Sequence, residues 1–217
     1  MRHPFSVFAL LCALLLTACE SAYYGTLEKV GVHKREILVD RIEAVKDAQV
    51  DGQEQFKSAL AQFQQTVNFD GGKLEVAYQR LDSEYQASER AAATIRERIA
   101  AVESVAEALF DEWEDELALY TSPGLRQQSQ TQLADTRRRY RSLLATMKTA
   151  EKSLVPVLNT LRDNSLYLKH NLNARAIASL KREAATIQAD VDRLIRDMDA
   201  AIAASDRFIA EFARQGQ

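Results

Sequence analysis

The feature that most constrains this chain is an apolar seam running without interruption through residues 74–113. Apolar or small residues recur along it at spacings of four and three in strict alternation. Such a sustained alternation is a heptad repeat, which is typical of left-handed coiled coils and predicts one long amphipathic helix. The seam consists of Leu74, Tyr78, Leu81, Tyr85, Ser88, Ala92, Ile95, Ile99, Val102, Ala106, Leu109 and Trp113.

Three other segments carry the same alternation. In residues 177–212 a second row, with Ile195, Ile202 and Ile209 seven apart, widens the seam, as expected for a helix that touches two neighbours in a bundle. Residues 133–161 carry a third seam, and residues 38–63 a weaker one that Gly52 interrupts at a cost of about 1 kcal/mol relative to Ala. The sequence therefore predicts an all-α fold: an elongated antiparallel up-down bundle of about four long helices with coiled-coil packing.

The breaks between these segments are few, since the chain has only 7 Gly and 3 Pro, too few for an all-β domain. Turns are predicted at Asp70-Gly71-Gly72 and at Ser122-Pro123-Gly124, where Ser122 would cap the third helix. We expect the last turn at Asn171-Leu172-Asn173, with Asp163-Asn164 as the alternative. Each helix would then have roughly 40–48 residues and extend about 60–70 Å. Pro156 lies inside the third helix and predicts a kink.

The N-terminus has the features of a secretion signal. Basic residues precede an apolar stretch from Phe5 to Leu16, which is too short to span a bilayer. The tetrapeptide Leu16-Thr17-Ala18-Cys19 resembles the lipobox of bacterial lipoproteins. This resemblance implies cleavage before Cys19, a diacylglycerol on its sulfur and a fatty acid such as palmitate on its new amino group. The alternative is an ordinary signal peptide with a chance cysteine.

The same resemblance implies an address and a division of the chain. Glu20, rather than Asp, follows the lipobox cysteine, which by the sorting rules of enteric bacteria implies the outer membrane, with the inner membrane as the alternative. We expect a signal peptide over residues 1–18, a lipidated tether over 19–26 and a single helical domain over 27–217. The other cysteine, Cys12, would be removed with the signal.

Residue types that carry chemistry are scarce. The mature chain would have two histidines, His33 and His170, at opposite ends of the predicted rod, where they cannot share a metal ion. It would have no free thiol, and the chain contains no nucleophile elbow and no glycine-rich phosphate loop. A net charge of −3 argues against a nucleic-acid binder. The prediction is a protein without enzymatic activity, cofactor or metal.

Two charged runs are candidate binding patches. One is basic and one is acidic, and the acidic run surrounds the only tryptophan, Trp113. We interpret both mainly as solvated or ion-paired faces, with Glu103 and Glu107 predicted opposite the basic run. The alternatives are an anionic envelope component for the basic run, and a basic partner or divalent cation for the acidic run. The runs are Arg137, Arg138, Arg139 and Arg141, and Asp111, Glu112, Glu114, Asp115 and Glu116.

A third candidate is the far tip of the rod, where two predicted turns meet. Asparagine and histidine at a helix junction are often only caps and turn formers, but here they would lie beside the glycine turn and could form a recognition tip. The candidate residues are Asp70, Gly71, Gly72, Lys169, His170, Asn171 and Asn173.

Several segments together resemble a family of bacterial envelope proteins described only as a domain of unknown function. They are Tyr23-Tyr24-Gly25, residues 31–35, residues 113–117 with Tyr120, and residues 167–174. The resemblance covers nearly the whole mature chain, and it implies a location and a shape but no activity.

We therefore expect a non-enzymatic outer-membrane lipoprotein of the periplasm, a rod-like spacer or adaptor for an envelope partner. One alternative is a ligand-sensing bundle that uses Tyr78 and Tyr85 or the Trp113 region, with Pro156 as a flexing point. Another is a coiled coil that self-assembles.

Overall fold

The computed structural model describes residues 33–214 except Asp70 and Gly72. This part of the chain is a bundle of four helices: α1 (Lys34–Val67), α2 (Leu74–Leu117), α3 (Pro123–His170) and α4 (Ala174–Arg214). Each helix packs against the next, and α4 packs against α1, which closes the bundle. No strand occurs among the described residues. The predicted all-α up-down bundle is confirmed.

The predicted seams form the core. Every seam residue of α1 and of α3 is buried, and on α4 only Ala184 is half-buried. The second row on α4 packs half-buried against the core, as expected for a helix between two neighbours. Burial of each large aliphatic side chain stabilises the fold by about 1.5–3 kcal/mol.

Gly52, which weakens the α1 seam, has a packing role. A Cβ atom at this position would lie 2.9 Å from Cδ1 of Ile95 and 3.4 Å from Cε of Met198. The absence of a side chain therefore lets α1 approach α2 and α4 closely at mid-bundle.

The helix ends agree with two predictions and correct a third. Ser122 caps α3 by accepting a hydrogen bond from the backbone N–H of Leu125 at 3.4 Å. The last turn lies at residues 171–173, and Asn164 of the alternative site is buried inside α3. However, α1 has 34 residues rather than the predicted 40 or more, because His33 has extended dihedral angles and the helix begins after it. α3 continues through Pro156, and the kink stays a prediction.

The up-down order gives the bundle two ends. The proximal end contains the first turn of α1, the last turns of α2 and α4, and the α2–α3 turn at residues 118–122. The distal tip contains residues 68–76, without Asp70 and Gly72, and residues 166–176. At 1.5 Å per residue, the 48 residues of α3 separate the two ends by about 70 Å.

Candidate functional site

The distal tip brings together the tip residues that the sequence predicts. Lys169 and His170 end α3, and Asn171 and Asn173 lie in the turn to α4. Gly71, in the opposing turn, is exposed and has a φ of 155°, a conformation that favours glycine. Asp70 and Gly72 lie outside the described residues.

The two asparagines act as caps and turn formers, as the plainer interpretation predicts. Oδ1 of Asn173 accepts hydrogen bonds from the backbone N–H groups of Arg175, at 3.0 Å, and Ala176, at 3.1 Å. Nδ2 of Asn171 donates to the carbonyl oxygen of Tyr167 at 2.9 Å. Both asparagines therefore stabilise the turn through these hydrogen bonds. A binding surface at the tip would consist of other side chains.

That surface is more apolar than the sequence reasoning recognised. Tyr167, Leu166, Val76 and Leu172 are all exposed at the distal tip. The signal was present in the sequence, since Leu166, Tyr167 and Leu172 do not continue the seam of α3 that ends at Leu161 and Leu168. Large apolar side chains that cluster on a surface commonly mark an interaction site.

The tip also carries cations. Lys73, Lys169 and Arg175 are exposed, and none of them forms an ion pair with another residue in the described part of the chain. Glu75 is the one exposed acid among the described tip residues. Apolar groups beside unpaired cations suit a partner with an apolar patch and acidic neighbours.

At the proximal end the two charged runs pair with each other and with α4. Arg137 forms an ion pair with Glu114, which holds the pKa of that carboxyl below its usual range. Arg139 lies 3.3 Å from Glu211 of α4. Arg138 pairs with Asp135, one turn away on α3, at 2.7 Å. The interpretation as ion-paired faces is therefore supported for these three arginines, and Arg141 is exposed.

The acidic residues predicted to lie opposite the basic run do not form ion pairs with its arginines in the described part of the chain. Glu103 pairs with Lys148 rather than with an arginine of the run. Burial raises the pKa of the Tyr140 hydroxyl, and the charges of Glu103 and Glu107 raise it further. The α2–α3 turn sets this pairing, because its conformation decides which residues of the two helices lie side by side.

Aromatic and basic side chains connect the first helix to the rest of the proximal end. The Arg35 guanidinium lies 4.0 Å from the ring centre of Phe212 and 5.9 Å from that of Trp113. It also donates a hydrogen bond to the carbonyl oxygen of Phe212 at 3.0 Å. Trp113 donates from Nε1 to Oγ of Ser129 at 2.8 Å, and Lys34 pairs with Glu112 at 3.1 Å. All four helices take part in these contacts.

Two open clefts flank Arg35 at this end. One, of about 440 Å³, lies beside Trp113 and Glu116, and the other, of about 470 Å³, lies beside Val39 and Phe212. Of the acidic run, Glu112 and Glu116 line the first cleft, while Asp111 and Asp115 are exposed elsewhere on α2. No group of three or more metal-ligating side chains occurs among the residues that the structure describes.

The predicted lipidation site Cys19 and the predicted signal and tether segments lie outside the described residues. Within residues 33–214, leaving aside positions 70 and 72, no helix combines the length and the apolar character needed to cross a bilayer.

Comparison with known families places the chain in one of them. A family model described as protein of unknown function, DUF2959, matches residues 23–212. This match covers most of the chain, and the chain belongs to that family. Comparisons with curated proteins and with solved structures find no match.

Proposed function

We propose that this member of the DUF2959 family is a non-enzymatic lipoprotein of the outer membrane, anchored in the inner leaflet through Cys19, that acts as a rod-like adaptor in the periplasm. Its distal tip would bind an envelope partner about 70 Å from its proximal end. The observation that carries the proposal is the exposed surface of the distal tip, on which apolar side chains lie beside cations that form no ion pair within the described part of the chain.

The position of the chain's N-terminal segment supports this orientation. The lipobox resemblance ends at Cys19, which is 14 positions before His33 at the proximal end. An acylated cysteine would therefore hold the proximal end near the membrane and direct the distal tip away from it. Two or more acyl chains suffice for stable anchoring.

The shape of the bundle also suits a spacer. The helices are long, and α4 packs against α1. Each helix therefore packs against two neighbouring helices. Two clefts along its length, one between α1 and α4 and one between α3 and α4, are open grooves. We expect a rod of this kind to hold a binding surface at a set distance from the membrane rather than to catalyse a reaction.

In-cell photo-crosslinking tests the proposal. A photoreactive residue replaces His170 at the tip, and the control replaces Ser142, an exposed position in the middle of α3. Each variant is made in the natural chain and in a Cys19→Ala chain. We expect one discrete protein adduct from position 170, none from position 142, and loss of the adduct when the anchor is removed.

Three outcomes would contradict the proposal. Equal capture at both positions would mean that the tip is not a specific site. Capture of only a second copy of the chain would favour a self-assembling coiled coil. An unchanged adduct in the Cys19→Ala chain would separate partner binding from membrane anchoring.

A second candidate function rests on the clefts beside Arg35. A small ligand could bind in the first cleft, against the Arg35 guanidinium and the edge of Trp113, in a periplasmic sensing bundle. Because Trp113 is the only tryptophan, its fluorescence reports this site alone. A saturable spectral shift with periplasmic small molecules that an Arg35→Gln substitution abolishes would favour sensing over the adaptor.

A further inference from the structure

The α2–α3 turn and the first helical turn of α3 expose apolar side chains at the proximal end. Leu119 is 78% exposed, Leu125 is 55% exposed and Tyr120 is 41% exposed. Residues 118–125 contain no charged side chain, although Glu116 precedes them and Arg126 follows. An uncharged segment with two exposed leucines and a tyrosine is unusual on a bundle whose helices carry many charged side chains.

This turn lies at the end of the bundle where the N-terminal segment enters. α1 starts at Lys34, and Lys34 contacts Glu112 in the last turns of α2, next to the α2–α3 turn. Only 13 residues separate Cys19 from His33, which is at most about 45 Å of fully extended chain. A lipid anchor at Cys19 would thus keep this turn within reach of the bilayer.

We propose that the α2–α3 turn is a second membrane contact, with Leu119, Tyr120 and Leu125 inserted into the interfacial region of the bilayer that holds the anchor. This inference rests on the proposed lipid anchor. Tyrosine suits the interface because its ring is apolar and its hydroxyl reaches water or headgroups. Arg126, which follows the turn, is placed to meet lipid phosphates.

The charges around the turn keep this insertion shallow. Asp111, Asp115 and Glu116 are exposed on the last turns of α2 and would be costly to bring into the hydrocarbon region. The turn therefore enters to the depth of its own side chains, while the helices stay in water. With the anchor and the turn both attached, the rod stands away from the membrane instead of lying along it.

The opposite turn provides a matched control. Leu172, in the α3–α4 turn, is also an exposed leucine in a turn, at 45%, but it lies at the distal tip. Because Cys12 leaves with the signal and Cys19 is acylated in the proposed mature protein, a new cysteine would be its only thiol. Leu119→Cys and Leu172→Cys can therefore each be labelled with one environment-sensitive fluorophore.

The test uses the acylated full chain in vesicles of phosphatidylethanolamine and phosphatidylglycerol that contain a nitroxide-labelled lipid. We expect the probe at position 119 to shift to the blue and to be quenched at least threefold more than the probe at position 172. A Leu125→Ser, Tyr120→Ser background should reduce that quenching, while circular dichroism verifies the fold.

The outcomes separate this inference from the anchor itself. Flotation of the protein with the vesicles, together with equal weak quenching at both positions, would overturn the turn contact and leave the lipid anchor standing. A blue shift at position 119 without quenching would mean that a protein, such as a second copy of this chain, covers the turn, which also overturns it. Failure of the acylated chain to float would contradict the proposed function.

Discussion

The proximal end of the bundle is tied across its helices by ion pairs and aromatic contacts, whereas the distal tip is shaped mainly by hydrogen bonds within its own turns. Arg35, Arg137 and Arg139 each reach a neighbouring helix at the proximal end. At the distal tip, Asn171 and Asn173 bond to backbone atoms only a few residues away.

The cationic side chains of the two ends also differ in the groups that they contact. Arg35, Arg137 and Arg139 at the proximal end meet carboxylates or aromatic rings within the bundle, so the fold satisfies their charges. The tip cations Lys73, Lys169 and Arg175 meet no acid in the described part of the chain and can be satisfied by a partner. The difference teaches that cationic side chains can be used within the fold at one end of a bundle and stay exposed at the other.

The largest expected effect comes from the aromatic contacts of the proximal end. Phe212 is buried, stacks on Phe208 with ring centres 5.2 Å apart, and holds Arg35. Phe212→Ala should lower the free energy of unfolding by about 3–4 kcal/mol, because it leaves a cavity and frees the guanidinium. Leu172→Ala at the exposed distal tip should change it by about 0.5 kcal/mol or less.

Urea unfolding followed by circular dichroism measures both changes. Equal destabilisation by the two substitutions would mean that contacts between helices hold both ends equally, which would contradict the contrast between the proximal end and the distal tip.

The next largest expected effect is a rise in the free energy of unfolding, caused by a substitution in the middle of the rod. Gln49 is fully buried in α1, and neither its amide nitrogen nor its amide oxygen has a hydrogen-bond partner in the described part of the chain. An unpaired buried amide costs about 1–3 kcal/mol. Gln49→Met, which keeps a similar volume, should therefore raise the free energy of unfolding by about 1–2 kcal/mol. A loss of stability in the same urea assay would indicate that a buried water serves the amide.

One capping residue at each end allows a direct comparison. Ser122 caps α3 at the proximal end, and Asn173 caps α4 at the distal tip. Asn173 accepts two backbone hydrogen bonds near 3 Å, whereas Ser122 accepts one at 3.4 Å. Asn173→Ala should cost about 1 kcal/mol and Ser122→Ala about 0.5 kcal/mol. Thermal melts of the two variants in parallel would check the order, and a larger loss for Ser122→Ala would reverse our assignment of the stronger cap.

The smallest effect at neutral pH concerns Tyr140. Burial and the charges of Glu103 and Glu107 raise the pKa of its hydroxyl in the folded state. The neutral form is thus favoured by folding, and its contribution is complete below the unfolded pKa of about 10 and is lost as the pH rises above it. The melting temperature of the natural chain should fall more steeply between pH 9 and pH 11.5 than that of Tyr140→Phe. Parallel slopes would contradict the burial of an un-ionised hydroxyl.

Much of the fold could be predicted because heptad spacing records which side chains face the core. The seam residues from Leu74 to Trp113 follow from periodicity, and the turn at residues 171–173 follows from giving the third helix a length close to that of the second. The partners of the basic run could not be predicted in detail. The conformation of residues 118–122 shifts α2 against α3, so that Arg137 meets Glu114.

The apolar part of the distal tip was missed for a related reason. Polar residues attract notice at a predicted turn, but exposure depends on how closely α2 and α4 approach the end of α3. Leu168 is fully buried, whereas Leu166 and Tyr167 are exposed; the seam spacing separates Leu168 from these neighbours, but packing decides how far they are exposed.

Native-state hydrogen exchange of the full chain tests most directly whether the two ends differ. The comparison pairs the last turn of α2, at residues 113–117, with the last turn of α3, at residues 166–170, since both are C-terminal ends of long helices. We expect the α2 amides to exchange at least tenfold more slowly, because contacts to α1 and α3 hold them. Equal or slower exchange at the end of α3 would contradict a tied proximal end and an open distal tip.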